Sequence, residues 1–189
     1  LLQGAAGMRM YAPPYWDAIA KAVRKTGALV IADEVFTGFG RTGTLFATEA
    51  CAEKPDILCL SKGLTGGFLP MGLTLVHERV FEAFYTPDPY KAFYHGHSYT
   101  GNPIACAAAV ASWELWNQPD THQKHGALCR AQARLAGQWN ALHPEAPARS
   151  LGLVLAIDLP APQQGYLSYH RTALKAYALE RGGFLRPLG

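Results

Sequence analysis

Two unbroken apolar runs end abruptly in charge. ALVIADE, residues 28–34, closes on Asp33 and Glu34, and DILCLSK, residues 56–62, closes on Ser61 and Lys62. A strand with an apolar side chain at nearly every position needs cover on both faces. That condition is met in a parallel sheet lying between helices. The stretch before ALVIADE supplies such a helix. Trp16, Ile19, Ala20 and Val23 recur at helical spacing in YWDAIAKAVRKT, with prolines ahead of it and Gly27 behind it.

The alternation continues along the chain. TGFGRTGT is a glycine-rich loop and FATEACAEK a short helix ended by Pro55. MGLTLVHERV reads as a further strand and VFEAFY as a helical turn. The polar, aromatic segment KAFYHGHSYTGNP leads into IACAAAVASWELW, a helix whose small residues permit close packing. Residues 121–142 form an amphipathic helix, HPEAPARS a loop, LGLVLAIDL a strand and YLSYHRTALKAYALERG a helix closed by Gly182. GFLRPLG starts another strand. The pattern predicts an α/β fold. Residues 1–117 are expected to be the C-terminal part of a large domain. Residues 118–189 are expected to be a linking helix and an incomplete second, smaller domain. The lack of an initiator methionine and the apolar segment at the end predict an internal piece of a longer protein.

Composition excludes several classes. Of the 189 residues 49% are hydrophobic and 16% charged, enough apolar material for a packed core. A formal net charge of +3 without basic runs leaves no footprint for nucleic acid or an anionic membrane, and no apolar run has the length of a membrane span. Cys51, Cys59, Cys106 and Cys129 form no CxxC pair, so reduced thiols in a cytoplasmic protein are expected.

Ligands of parallel α/β sheets gather at the carboxyl ends of the strands, which is where Asp33, Glu34 and Lys62 fall. If the two strands are neighbours, an acid and an amine meet at one rim, as a structural ion pair or as reactive groups. A desolvated lysine carries a fraction of free amine able to form a Schiff base. Pyridoxal phosphate uses such a lysine together with an acid that holds its ring nitrogen protonated. Gly63, Gly66 and Gly67 would give a cofactor clearance. GFGRTG matches the GxGxxG spacing of dinucleotide sites, but DEVFT separates it from the strand, and Thr44 stands where a P-loop needs lysine. ALVIADE also resembles the acidic strand of a nucleotide hydrolase, which leaves that class open. His95 and His97 have the spacing of a metal pair but no clear third ligand, so no metal is expected.

Three longer motifs, IADEVFTGFGRTGTLFA, PDILCLSKGLTGGFLPMG and FYHGHSYTGNPIACAAA, resemble the class III pyridoxal-phosphate aminotransferases. The resemblance implies fold type I, with part of the large, mostly parallel sheet domain and the start of the small C-terminal α/β domain. It implies pyridoxal 5'-phosphate as cofactor, Lys62 as the lysine that bonds it and shuttles a proton, and Asp33 as the acid at the pyridine nitrogen. His97 and Ser98 would flank the cofactor phosphate of a neighbouring subunit, and Gly96 would line the substrate pocket. Serine at position 98 replaces the threonine of many relatives and keeps the hydroxyl. QGAAGMRMY and FLRPLG are similar to the members acting in biotin biosynthesis. That narrower resemblance implies S-adenosylmethionine as amino donor, 8-amino-7-oxononanoate as acceptor, and Arg186 as the grip on its carboxylate. It also implies a homodimer with shared active sites. Another class III ω-aminotransferase, with an amino acid or diamine donor, is the nearest alternative. A truncated module that only contributes to a dimer is another. The family's upstream phosphate-binding turn and ring-stacking aromatic are not in this sequence, so this polypeptide alone is expected to be inactive.

Overall fold

The computed structural model describes residues 2–3, 7–160, 170–185 and 187. A two-residue strand β1 (Leu2–Gln3) pairs antiparallel with β2 (Arg9–Met10), and α1 follows at Pro13–Arg24. Prolines occupy its first turn, where a missing N–H costs nothing, and Gly27 just beyond it adopts φ +80°. The Trp16 indole N–H donates to the Glu53 carbonyl at 2.8 Å, and Asp17 Oδ1 accepts the Glu53 N–H, so α1 is fastened to the loop before the second apolar run.

β3 (Ile31–Asp33) and β4 (Ile57–Leu60) lie side by side and parallel, with Asp33 opposite Cys59. β5 (Leu73–Val76) then adds antiparallel to β4, giving the order β3-β4-β5. The sheet is therefore mixed rather than parallel throughout. The expectation that ALVIADE is covered on both faces fails among the described residues. Only Ala32 of β3 is buried, Ile31 remains 57% exposed, and β4 is its one hydrogen-bonded neighbour. The run is apolar at every position because its chemistry suits double cover, but the described residues cover only one side of it.

Asp56, at the entrance to β4, joins three elements. Its carboxylate accepts the Val30 N–H at 2.8 Å and the Arg79 guanidinium, with Arg24 at 3.9 Å. The Val30 hydrogen bond, reinforced by Arg79, holds this buried carboxyl below the usual aspartate range although burial opposes the shift. Arg79 belongs to α2 (Glu78–Glu82), which His77 caps by accepting the Arg79 N–H, so the expected strand MGLTLVHERV ends at Val76 and turns helical.

α3 (Pro103–Trp116) begins at Asn102, whose side chain accepts the N–H groups of Ile104 and Ala105. α4 (Pro119–Leu142) lies against a hairpin, β6 (Ala148–Leu151) and β7 (Val154–Ile157). The Asn140 amide reads both polar groups of Ala148, and Trp139 donates to the Ala146 carbonyl. LGLVLAIDL thus is not one strand. Gly152 takes φ +59° and reverses the chain, so β6 begins within the expected loop HPEAPARS. α5 (His170–Glu180) ends at Gly182, φ +73°, as its glycine indicated. Its expected first turn at residues 166–169 lies outside the described residues, and residues 183–185 carry no strand.

Candidate active site

Parallel pairing in this register delivers the chain leaving β3 and the chain leaving β4 to one rim. Asp33 is the last residue of β3, and the Glu34 N–H donates to the Cys59 carbonyl at 2.9 Å. Lys62 follows β4 by two residues and opens a short 3-10 turn, Lys62–Thr65. The two carboxylates of ALVIADE part company here, because successive side chains on a strand point to opposite faces. Asp33 is exposed, and its Oδ1 accepts the Val35 N–H at 2.9 Å. Glu34 is only 1% exposed and accepts four hydrogen bonds at 2.8 Å, from the N–H groups of Ala47 and Thr48 and the hydroxyls of Thr37 and Thr48. It pins the 3-10 turn Ala47–Ala50 under the sheet and is spent on structure. Sequence reasoning placed both acids at the rim. Strand alternation was the signal that could have separated them.

Lys62 sits at φ +48°, a left-handed conformation that costs a residue with a Cβ roughly 1–2 kcal/mol. Backbone strain of this kind concentrates where a side chain must be aimed. The lysine Nζ stands 5.2 Å from the centre of the Phe36 ring, and the Arg41 guanidinium carbon is 4.6 Å from the same ring, so two cations share one aromatic platform. Arg41 Nε is buried without a hydrogen-bond partner among the described residues. Lys62 itself is exposed, so the desolvation expected from its strand is not supplied by the described residues.

The two loops interlock. A Cβ on Gly63 would run into the Phe39 ring, and Phe39 itself holds φ +58°. From α3, the Ser112 hydroxyl donates to the Gly63 carbonyl at 3.0 Å. Gly66 and Gly67 have φ +63° and +81° with open space where a Cβ would point, so backbone conformation already accounts for glycine at both positions. GFGRTG forms a tight turn, with Gly40 and Gly43 at positive φ, and opens no long helix.

The remaining expected site residues lie elsewhere. Gly96, His97 and Ser98 are on the exposed stretch between the Pro89–Lys91 turn and α3. The His97 N–H donates to Thr100 Oγ1 and its Nδ1 accepts the Tyr99 N–H. His95 packs on Phe93, and no group of three potential metal ligands forms among the described residues. Arg186 lies outside the described residues. A cleft of about 340 Å³ between α1 and β3 is walled by Tyr11, Trp16, Ile31 and Asp33 but not by Lys62, so it is not the meeting place of acid and amine. No helix among the described residues is long and apolar enough to cross a membrane.

Comparison with known proteins places this geometry. The chain belongs to the aminotransferase class-III family, which it matches over residues 2–189. It is 45% identical over 193 residues to an adenosylmethionine-8-amino-7-oxononanoate aminotransferase of Synechococcus elongatus, covering all of this chain and 44% of that protein. The enzyme of the same name from Aquifex aeolicus is 40% identical, with 43% of it covered. Among solved structures, an amine transaminase from an uncultivated Pseudomonas species in its PLP-bound form superposes with TM-score 0.88 at 32% identity, over 100% of this chain and 44% of that one. The Methanocaldococcus jannaschii adenosylmethionine-8-amino-7-oxononanoate aminotransferase gives 0.84 at 35%, over 100% and 45%. The α/β fold is therefore that of the fold type I transferases, and the chain spans less than half the length of these relatives. The nucleotide-hydrolase alternative falls with this result: ALVIADE is the Asp33 strand of a class III aminotransferase, and its second carboxylate is buried in structural hydrogen bonds.

Proposed function

We propose that this chain carries the amine and acid of a pyridoxal-phosphate-dependent aminotransferase. In that reading the whole protein transfers an amino group from S-adenosylmethionine to 8-amino-7-oxononanoate, forming 7,8-diaminononanoate in cytoplasmic biotin biosynthesis. The observation carrying the proposal is the parallel register of β3 and β4, which brings Asp33 and Lys62 to adjacent strand ends. The residues suit the cofactor: a primary amine for its aldehyde, a carboxylate for its ring nitrogen, and an orphaned guanidinium Nε over the Phe36 ring that the amine shares. The names and identities of the relatives support the substrates.

Bound pyridoxal phosphate supplies an electron sink that stabilises negative charge on the substrate carbon bearing nitrogen. Asp33 Oδ1 is engaged by the Val35 N–H, which orients the carboxylate that would hold the ring nitrogen protonated. Lys62 Nζ, on a residue held at positive φ, would carry a proton from the substrate carbon bearing nitrogen to a second carbon, since returning it to the first would transfer no amino group. His97 and Ser98 act at the cofactor phosphate of a second subunit, Gly96 lines the substrate pocket, and Arg186 binds the acceptor's carboxylate. The exposed aromatics beside that loop, Tyr90, Phe93, Tyr94 and Tyr99, support a homodimer of this kind. Residues 1–117 form part of the large domain and 118–189 the start of the small one.

In the full-length protein with excess pyridoxal phosphate, we expect a visible absorbance band that Lys62→Ala removes. A colourless protein would end the aminotransferase reading. Transamination with alanine but not with S-adenosylmethionine would instead leave a class III ω-aminotransferase of another substrate.

A further inference from the structure

The loop that carries Phe36 and Arg41 is held from outside the site, by the second half of the chain. Contacts from three elements converge on residues 40–43. His125, on α4, places Nε2 at 2.6 Å from the Gly40 carbonyl, across 85 residues of sequence. A carbonyl oxygen only accepts, so Nε2 carries the hydrogen and donates it. The Trp116 ring, at the end of α3, lies where a Cβ on Gly40 would fall. That indole is set edge to face against both His122 and His125, each 5.2 Å away. At the β6–β7 turn the Leu153 N–H donates to the Arg41 carbonyl at 3.0 Å, and Gly152 approaches Thr42 and Gly43 too closely to bear a Cβ.

Consecutive carbonyls, Gly40 and Arg41, are thus taken by α4 and by the hairpin. The side chain between those anchors is the guanidinium that shares the Phe36 ring with Lys62. Nothing hydrogen-bonds Arg41 Nε among the described residues, so the backbone anchors and the ring are what orient it. We infer that His125 is a positioning residue: its hydrogen bond to Gly40 fixes the loop that sets Arg41, and through Phe36 the Lys62 amine, at the candidate site. Its effect on turnover rests on the aminotransferase reading; its effect on the loop does not.

The test compares His125→Gln, whose amide nitrogen reaches the place of Nε2, with His125→Asn, which is one methylene shorter and falls short of Gly40. Both are made in the full-length protein loaded with pyridoxal phosphate. The first readout is tryptic cleavage after Arg41. Loss of one hydrogen bond shifts a local opening equilibrium roughly 3- to 10-fold, so His125→Asn is expected to accelerate that cleavage by this factor and His125→Gln to leave it at the parent rate. The second is turnover at saturating substrate, expected to fall several-fold in His125→Asn with visible absorbance and melting temperature retained, and to recover in His125→Gln. Equal cleavage and equal turnover in the two variants would overturn the inference. So would a His125→Asn loss of turnover that tracks loss of cofactor or of folded protein. If the protein never colours, the aminotransferase reading fails, and the cleavage comparison still decides the role of His125 in the loop.

Discussion

Lys62 and Asp33 were legible as residues because each closes an apolar run, and a charge at that point must emerge at a strand end. Glu34 was not. Adjacent in sequence to Asp33 and chemically alike, it differs only in the face to which its side chain points, and that face is closed by Ala47 and Thr48, thirteen and fourteen positions further on. Its two oxygens each accept one backbone N–H and one hydroxyl. A hydroxyl can rotate to accept, but an N–H cannot. Glu34→Gln therefore sets its amide group against a backbone donor whichever way it turns, and leaves one buried N–H without a partner. The expected loss is about 1–3 kcal/mol of stability, read as a lower denaturant midpoint at unchanged slope. An unchanged midpoint would mean that the 3-10 turn Ala47–Ala50 is not held by this carboxylate.

At the scale of elements, helix punctuation was read well. Proline in the first turn of α1 and glycine after α1 and α5 act locally, through φ and a missing N–H, whereas the turn Ala47–Ala50 stops well before Pro55. Strands were read less well. LGLVLAIDL contains the glycine that breaks it, but an apolar run looks the same whether its two halves continue or fold back. What sets the alignment of elements is equally distant: Asp56 precedes β4 yet ties it to β3 through Val30 and to α2 through Arg79. Its carboxyl is held below the usual value of about 3.9 in the folded state. With the folded value depressed, the unfolded chain binds the proton first, so Asp56 contributes stability above about pH 3.9 and loses it as pH falls through its folded value. Unfolding midpoints of the full-length protein measured from pH 6 downwards should drop through this acid window. In Asp56→Asn the drop should be shallower, from a starting stability lower by about 1–3 kcal/mol. Parallel acid profiles for the two proteins would remove Asp56 from this role.

At the scale of the whole molecule, three tyrosines of one segment stand out from the described residues. Tyr90 is 96% exposed, Tyr94 82% and Tyr99 76%, on the segment that carries Gly96, His97 and Ser98. Burying one such ring contributes roughly 1.5–3 kcal/mol, and a two-fold interface uses each twice. In the proposed homodimer, Tyr90→Glu is accordingly expected to weaken self-association by at least about 10-fold. Sedimentation of the full-length protein over a concentration series would show it, and a parent protein that sediments as a monomer would refute the shared site.

The sequence by itself determined the α/β class and much of the helix punctuation, and it marked Asp33 and Lys62 as charges that close two apolar runs. These depend on local backbone preferences and on where an apolar run stops. Only the tertiary structure decided that β3 and β4 are parallel neighbours in a mixed sheet, that Glu34 turns inward, and that α4 reaches back 85 residues through His125 to Gly40. Those outcomes are set by contacts between groups far apart along the chain. Once the fold brings such groups together, hydrogen-bond satisfaction and close packing select one arrangement, and no window of neighbouring residues encodes it.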